Sequence, residues 1–187
     1  MTVDVHHKTR ALWLAGVLHA FTHAYQMALI PLYLLIQTDF KLGSVEAATL
    51  LVTVVGIASF VPSYPMGMFA DRFSRKRLLG IGLAINSLGF ISLSFAPNYA
   101  TALTCMAVSG FGGSFYHPSA TAWIARVFPV GTGRALGLVG VGASAGFFIS
   151  PIYSGWRAMN SGSWRTPVLE LGILGLIAAV IFFLAGR

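Results

Sequence analysis

"GMFADRFSRKR", residues 67–77, packs five charged side chains (Asp71, Arg72, Arg75, Lys76 and Arg77) into eleven positions. Only 9% of the chain is Asp, Glu, Lys or Arg, so nearly a third of its charge sits in this one turn. The sequence on either side is almost purely apolar. Charge gathered between two apolar stretches marks a place where the chain leaves a nonpolar medium and turns back into it.

The composition demands such a medium. Of 187 residues, 56% are hydrophobic and the mean hydropathy is +0.78, whereas a soluble domain carries about 25% charged residues. The net charge of +7 and pI near 10.1 would suggest nucleic acid in a soluble protein. Here the basic residues lie between apolar runs, where they report membrane orientation instead. The single cysteine, Cys105, excludes an intramolecular disulfide. No Cys/His spacing of metal-binding type appears, and no metal or cofactor is expected. The N-terminal "MTVDVHHKTR" leads into an apolar run too long for a cleaved signal peptide, so that run reads as a first span.

About 20 apolar residues of helix cross a bilayer core. Six stretches qualify, roughly 11–36, 47–70, 78–96, 99–125, 134–155 and 167–186. Between them "QTDFKLGSVE", "DRFSRKR", "APN", "VFPVGTGR" and "SGWRAMNSGSWRTP" hold nearly all the charges and several turn formers. No linker interrupts the pattern, so residues 1–187 read as one six-span, all-α membrane domain. With a cytoplasmic N-terminus, that side holds nine cations: Lys8, Arg10, Arg72, Arg75, Lys76, Arg77, Arg126, Arg134 and Arg187. The other side holds three, Lys41, Arg157 and Arg165. Positive charges stay inside, which places both termini in the cytoplasm of a cell (inner) membrane protein.

The order of residues in the opening segment says more than its charge. Gly67 allows close backbone approach, and Asp71 amid several cations can latch helices together. Gly67, Asp71, Arg72, Arg75 and Lys76 resemble the G-x-x-x-D-R-x-x-R-K signature between helices 2 and 3 of the major facilitator superfamily of secondary transporters. "GFFISPIYSG" in span 5 resembles that family's G-x-x-x-G-P-x-x-G-G motif, keeping Gly146, Pro151 and Gly155, with Ser150 and Ser154 in place of two glycines. The family associates this motif with antiporters. Physically, Gly142, Gly146, Ser150 and Ser154 recur every four residues as a ridge that lets another helix come close, and Pro151 is expected to bend the extracellular end. Ordinary small-residue packing would leave the same pattern. The arginine that the family often carries in helix 4 is missing, because Met106 stands there in "CMAVSGFGG".

Ionisable groups inside a span usually face a cavity or one another. His19, His23 and Gln26 follow at i, i+4 and i+7 and share one helical face. At about 1.5 Å per residue, the two histidines lie roughly 12–18 Å deep, near the depth of transporter binding sites. Imidazole titrates near neutral pH and can carry a proton through a cycle. A pair that merely hydrogen-bonds to neighbouring helices is the plainer alternative. In span 4, Pro118 frees a carbonyl near Ser114 and should kink the helix beside Tyr116 and His117. "HAFTHAYQ" and "FYHP" together resemble the fosmidomycin-resistance branch, which often has an acidic residue where His23 stands. Glu170 reads as a snorkelling or paired carboxylate with Arg165 nearby, and Trp164 and Arg165 read as interface anchors.

The resemblance implies half of a major facilitator fold, two inverted three-helix repeats, with the solute held between this half and a second one. The chain reads as a portion of a twelve-span transporter, as a half-size protein that pairs, or as an accessory subunit without transport. The leading expectation is a secondary transporter moving a small organic solute by alternating access, as proton-coupled export. His19, His23, Gln26, Tyr116 and His117 would line its path, and span 5 would pack on the opposite half. Lipid, a second six-helix half and a small molecule are the expected partners; nucleic acid is not. No catalytic triad or phosphate loop argues for an enzyme, and the glycines of "GLVGVGASAG" lie within an apolar span without a preceding strand.

Overall fold

The computed structural model describes residues 2–185; Arg187, counted above among the cytoplasmic cations, lies outside the described residues. Nine α-helices and one short 3₁₀ turn make up the described chain, which contains no strand. Span 1 is α1 (Thr2–Met27), the 3₁₀ turn Ile30–Leu32 and α2 (Tyr33–Asp39). Span 2 is α3 (Val45–Phe60) and α4 (Ser63–Arg72), and span 3 is α5 (Arg75–Ser94). Span 4 is α6 (Tyr99–Gly113) and α7 (Tyr116–Val127), span 5 is α8 (Thr132–Ser161) and span 6 is α9 (Arg165–Ala185).

Proline explains most of the breaks. Pro31 and Pro62 lack the amide proton a continuing helix needs, and spans 1 and 2 each lose their α-helix beside one of them. Pro118 breaks span 4 at residues 114–115, one turn earlier, as its freed carbonyl requires. Pro151 is the exception: α8 runs unbroken through it. Span 1 lies close on either side of the proline: Gly146 meets the Ala20 backbone before it and Gly155 the Pro31 ring after it. At 30 residues, α8 also outruns its apolar stretch 134–155, because helical hydrogen bonding continues where hydropathy has ended. Asn98 caps α6 by accepting from the Thr101 amide at 2.9 Å. Gly162 closes α8 in the left-handed region at φ 69°, where a side chain would be strained.

Four segments are long and apolar enough to cross a membrane: Val45–Arg72, Arg75–Ser94, Thr132–Ser161 and Arg165–Ala185. The other two spans fall short for a physical reason. Span 4 is divided into two short helices, and His19, His23 and Gln26 dilute the hydropathy of span 1. The least apolar spans are thus the ones that carry the polar groups.

Packing follows an internal symmetry. Span 1 packs most extensively on span 5, span 2 on span 4, and span 6 on span 3, while span 4 also packs extensively on span 3. Exchanging spans 1–3 with spans 4–6 swaps the first two pairs and preserves the third, as two inverted three-helix repeats require. Small residues make these contacts possible. A Cβ on Gly142 would overlap the Gly16 carbonyl, and one on Gly110 would strike the Val55 backbone. Buried polar groups are tied between spans: Tyr25 Oη meets Ser87 Oγ at 2.9 Å and donates to the Leu171 carbonyl at 3.2 Å. Ser109 Oγ donates to Asn86 Oδ1 at 2.6 Å.

The end opposite the Arg72–Arg77 turn is closed by two charge clusters. Arg165 Nη2 lies 2.8 Å from Asp39 Oδ2, while its Nη1 donates to the carbonyls of Ser94 (3.0 Å) and Ala96 (2.9 Å). Trp164 Nε1 donates to the same Asp39 oxygen at 3.0 Å, and the ring is only 3% exposed. Trp164 and Arg165 are therefore an internal clamp joining spans 1, 3 and 6, which corrects their reading as interface anchors. Partial burial pushes the Asp39 carboxyl up, but the hydrogen bonds from Trp164 and Arg165 outweigh it and hold it below the usual carboxylate range. Glu170 pairs with Arg157 of span 5 rather than with Arg165, accepting at 2.8 Å from Nη2 and at 2.9 and 3.0 Å from Nε. Tyr153 Oη donates to the same carboxylate.

Candidate functional site

The i, i+4, i+7 spacing on α1 does bring His19, His23 and Gln26 into one chain of contacts. His23 Nδ1 lies 2.9 Å from Gln26 Oε1, and His23 Nε2 lies 3.2 Å from His19 Nε2. His19 Nδ1 lies 3.1 Å from the Val139 carbonyl of span 5. The break at residues 114–115 restarts span 4 at Tyr116 and sets that residue against span 1. Tyr116 Oη donates to the Ala15 carbonyl at 2.8 Å, and its ring stacks on His19 at 4.7 Å. His117 follows, its ring 5.4 Å from His19 and 5.7 Å from His23. Phe147 of span 5 stacks on His23 at 4.4 Å. His23 is buried, His19 is half-buried and His117 is exposed, so the cluster opens outward on the His117 side.

All five residues expected to line a path thus meet at one place. Two contributors had no sequence signal strong enough to find them, the Val139 carbonyl and the Phe147 ring. The proton count of the chain is informative. Val139 O and Gln26 Oε1 are acceptors, so each Nδ1 facing them carries a proton. The two Nε2 atoms then face each other without a proton, and one added and shared there makes the pair cationic. Turning the Gln26 amide end for end offers His23 a donor instead, and the pair is neutral. Two imidazoles and one amide can therefore exist in two hydrogen-bonded states that differ by a single proton.

The Gly67–Lys76 motif lies at the far end of spans 2 and 3. A Cβ on Gly67 would sit 3.7 Å from Pro118, so the glycine faces span 4. Asp71 is 78% exposed and holds Arg75 through one contact of 3.4 Å between the ends of α4 and α5. The Arg75 side chain is 14% exposed, with a buried Nε that has no hydrogen-bond partner among the described residues. Arg72 is exposed, and Lys76 lies over the Trp123 ring at 5.6 Å. Asp71, Arg75, Lys76 and Trp123 line an open groove of about 230 Å³.

The small residues of span 5 face inward. Gly142 meets Gly16, Gly146 meets Ala20, and Ser150 Oγ donates to the Ala24 carbonyl at 3.0 Å. The ridge is therefore used up against span 1 of the same half, and contact with an opposite half through this face is excluded. An apolar pocket of about 250 Å³ opens beside it, lined by Ala24, Ser150, Tyr153 and Leu174 among others. Ser150 is already bonded and the remaining wall is nonpolar, so nothing there converges on a polar ligand.

The sequence matches the family model of the Major Facilitator Superfamily over residues 12–187. The chain belongs to this superfamily. It is 23% identical over 170 residues to the uncharacterized MFS-type transporter YfnC of Bacillus subtilis (strain 168), covering 89% of this chain and 41% of that protein. It is 31% identical over 144 residues to the multidrug resistance protein B homolog of Mycobacterium tuberculosis (strain CDC 1551 / Oshkosh), covering 75% of this chain and 26% of that one. The fold resembles the crystal structure of a bacterial homolog to the human lysosomal transporter Spinster, inward-facing and occupied. The TM-score is 0.83 at 18% identity, over 94% of this chain and 43% of that chain. The chain spans less than half the length of these relatives. It is a membrane protein of a transporter family and not an enzyme, and its six helices are half of a major facilitator fold.

Proposed function

We propose that the chain works as one half of a secondary active transporter that exports a small organic solute by proton-coupled alternating access. The observation that carries this reading is the His19–His23–Gln26 chain, mid-way along span 1, meeting Tyr116 and His117 of span 4 on an open face. A site at that depth, built on broken helices, is where transporters of this architecture hold solute and coupling ion. The titratable groups around the imidazole pair are His117 and Tyr116 of span 4. Span 5 contributes the Val139 carbonyl and the Phe147 ring.

A second six-helix half, from the same chain continued or from another copy or subunit, would cover this face. Both ends of the chain would lie in the cytoplasm of a cell (inner) membrane, which puts Asp71 and Arg75 at the cytoplasmic gate. The relative named for multidrug resistance favours an organic solute, and "HAFTHAYQ" with "FYHP" keeps the fosmidomycin-resistance branch in view. The test is transport in inverted vesicles or proteoliposomes holding the protein with its second half. An imposed proton gradient should drive accumulation of members of a panel of organic cations and anions, and His23→Ala should uncouple it. Normal coupling in that variant would refute the role of span 1. Movement of nothing by a correctly folded protein would favour the accessory-subunit reading instead.

A further inference from the structure

We infer that His19, His23 and His117 form a binding site for a first-row divalent transition cation such as Zn²⁺ or Co²⁺. One ring nitrogen from each of the three lies within 4.8 Å of the other two. Imidazole ligands at about 2.0–2.1 Å around a tetrahedral ion stand roughly 3.3 Å apart. The Nε2 atoms of His19 and His23 are already 3.2 Å apart, so this pair needs almost no rearrangement. His117 is the exposed member, and it closes the remaining distance by a small side-chain movement.

What surrounds the imidazoles is as telling as their spacing. A histidine that holds a metal normally donates its other ring N–H to a carbonyl or carboxylate, which fixes the tautomer and leaves the ligating nitrogen bare. Both members of the close pair are arranged this way. His19 Nδ1 faces the Val139 carbonyl at 3.1 Å and His23 Nδ1 faces Gln26 Oε1 at 2.9 Å. Both Nε2 lone pairs then face the same small space, which is unfavourable unless a shared proton or a metal cation occupies it. A divalent cation satisfies both. Neutral imidazole selects borderline metals over Mg²⁺ or Ca²⁺, which prefer oxygen. Three imidazoles leave the fourth tetrahedral position open. Since they bring no negative charge, an anionic donor in that position, hydroxide or a group of the solute, stabilises the ion.

The inference deepens the proposed transport function, but binding can be measured without transport. Detergent-purified full chain, in a His6→Ala/His7→Ala background that removes the exposed histidines near the N-terminus, is titrated with Co²⁺. One ion per chain with the intense visible bands of four-coordinate Co²⁺ is expected. Gln26→Ala should weaken binding by about 10–100-fold, as loss of a supporting partner does, and His117→Ala by more. His117 is exposed and Gln26 half-buried, so these variants test the site without depending on the folding of His19→Ala or His23→Ala. Absence of four-coordinate Co²⁺, or wild-type affinity in both variants, would overturn the inference. A protein that binds Co²⁺ but moves no solute defeats the transport proposal alone. One that transports after chelator treatment and binds no Co²⁺ defeats this inference alone.

Discussion

Arg165→Ala tests what the clamp at the Asp39 end depends on. Arg165 makes two kinds of contact there: an ion pair with Asp39, and donations to the Ser94 and Ala96 carbonyls at the end of α5. The side chains of Arg165 and Asp39 are 30% and 42% exposed, and an ion pair this open to screening contributes about 0–1 kcal/mol. The carbonyls are a different matter. They end a helix whose last turn lacks intrahelical donors, and hydrogen bonds to a charged group contribute about 1.5–3 kcal/mol each. Arg165→Ala should therefore cost about 2–4 kcal/mol in all, counting partial replacement of the bonds by water. Asp39→Asn keeps an acceptor for Trp164 Nε1 and removes only the charge, so its cost should stay near or below about 1 kcal/mol. Arg165→Lys should fall between them, because one ammonium cannot reproduce the fork. The measurement is the thermal unfolding midpoint of purified protein in detergent at pH 7. If Asp39→Asn lowers the midpoint as far as Arg165→Ala, the ion pair dominates and the carbonyl reading is wrong. The pH dependence has a defined sign. The folded carboxyl titrates below its ordinary value, so its contribution is complete above about pH 4 and disappears as pH falls through the folded value. The difference between wild type and Asp39→Asn should be constant from neutral pH down to about 5 and vanish only in stronger acid.

Gly146→Leu should separate spans 5 and 1, since even a Cβ there would collide with the Ala20 backbone. Overpacking against side chains costs about 1–3 kcal/mol, and backbone yields less readily, so low yield or a sharply lowered midpoint is expected. Gly140→Ala, in the same helix with open space around it, should leave the midpoint unchanged. Glu170→Ala and Arg157→Ala each break an ion pair whose side chains are about a third exposed, so each should cost no more than about 1 kcal/mol; a clearly larger drop in the midpoint would contradict this. Tyr25→Phe removes the tie from Tyr25 to Ser87 and Leu171 and should cost about 0.6–1.7 kcal/mol by the same unfolding measurement, the range for hydrogen bonds between membrane helices.

What could be read in the sequence was local. Six apolar stretches, the shared face of His19, His23 and Gln26, and the break ahead of Pro118 all follow from spacing within a few turns; the structure has the shared face and the break, and four of the stretches as segments long and apolar enough to cross a membrane. Partners distant in the chain were not legible. Asp39 meets Arg165 across most of the molecule, and Glu170 chooses Arg157 over the nearer Arg165, because position along adjacent helices decides the pairing. The ridge of span 5 shows the same limit. Small residues every fourth position say that a helix approaches, but not which one, and the helix proved to be span 1. His117 joins the span 1 histidines for a non-local reason too: the restart of span 4 turns residues 116 and 117 toward span 1.

The distribution of bonded charge bears on how such a half would move. At the Asp39 end, each carboxylate is engaged by several donors: Asp39 by Trp164 and Arg165, Glu170 by Arg157 and Tyr153. These ties join spans 1, 3, 5 and 6. At the opposite end, among the described residues, Asp71 is held by one contact of 3.4 Å and is 78% exposed, while the buried Arg75 Nε has no hydrogen-bond partner. One end is thus tied by several bonds, and the other presents an exposed carboxylate with bonding capacity to spare. Under the proposed alternating access, the first end would keep spans 1, 3, 5 and 6 moving together. The second can form its missing contacts when the opposite half closes on it and release them when it opens. That difference gives Gly67–Lys76 a reason to be both charged and loosely tied: a contact already satisfied within this half could not respond to the other.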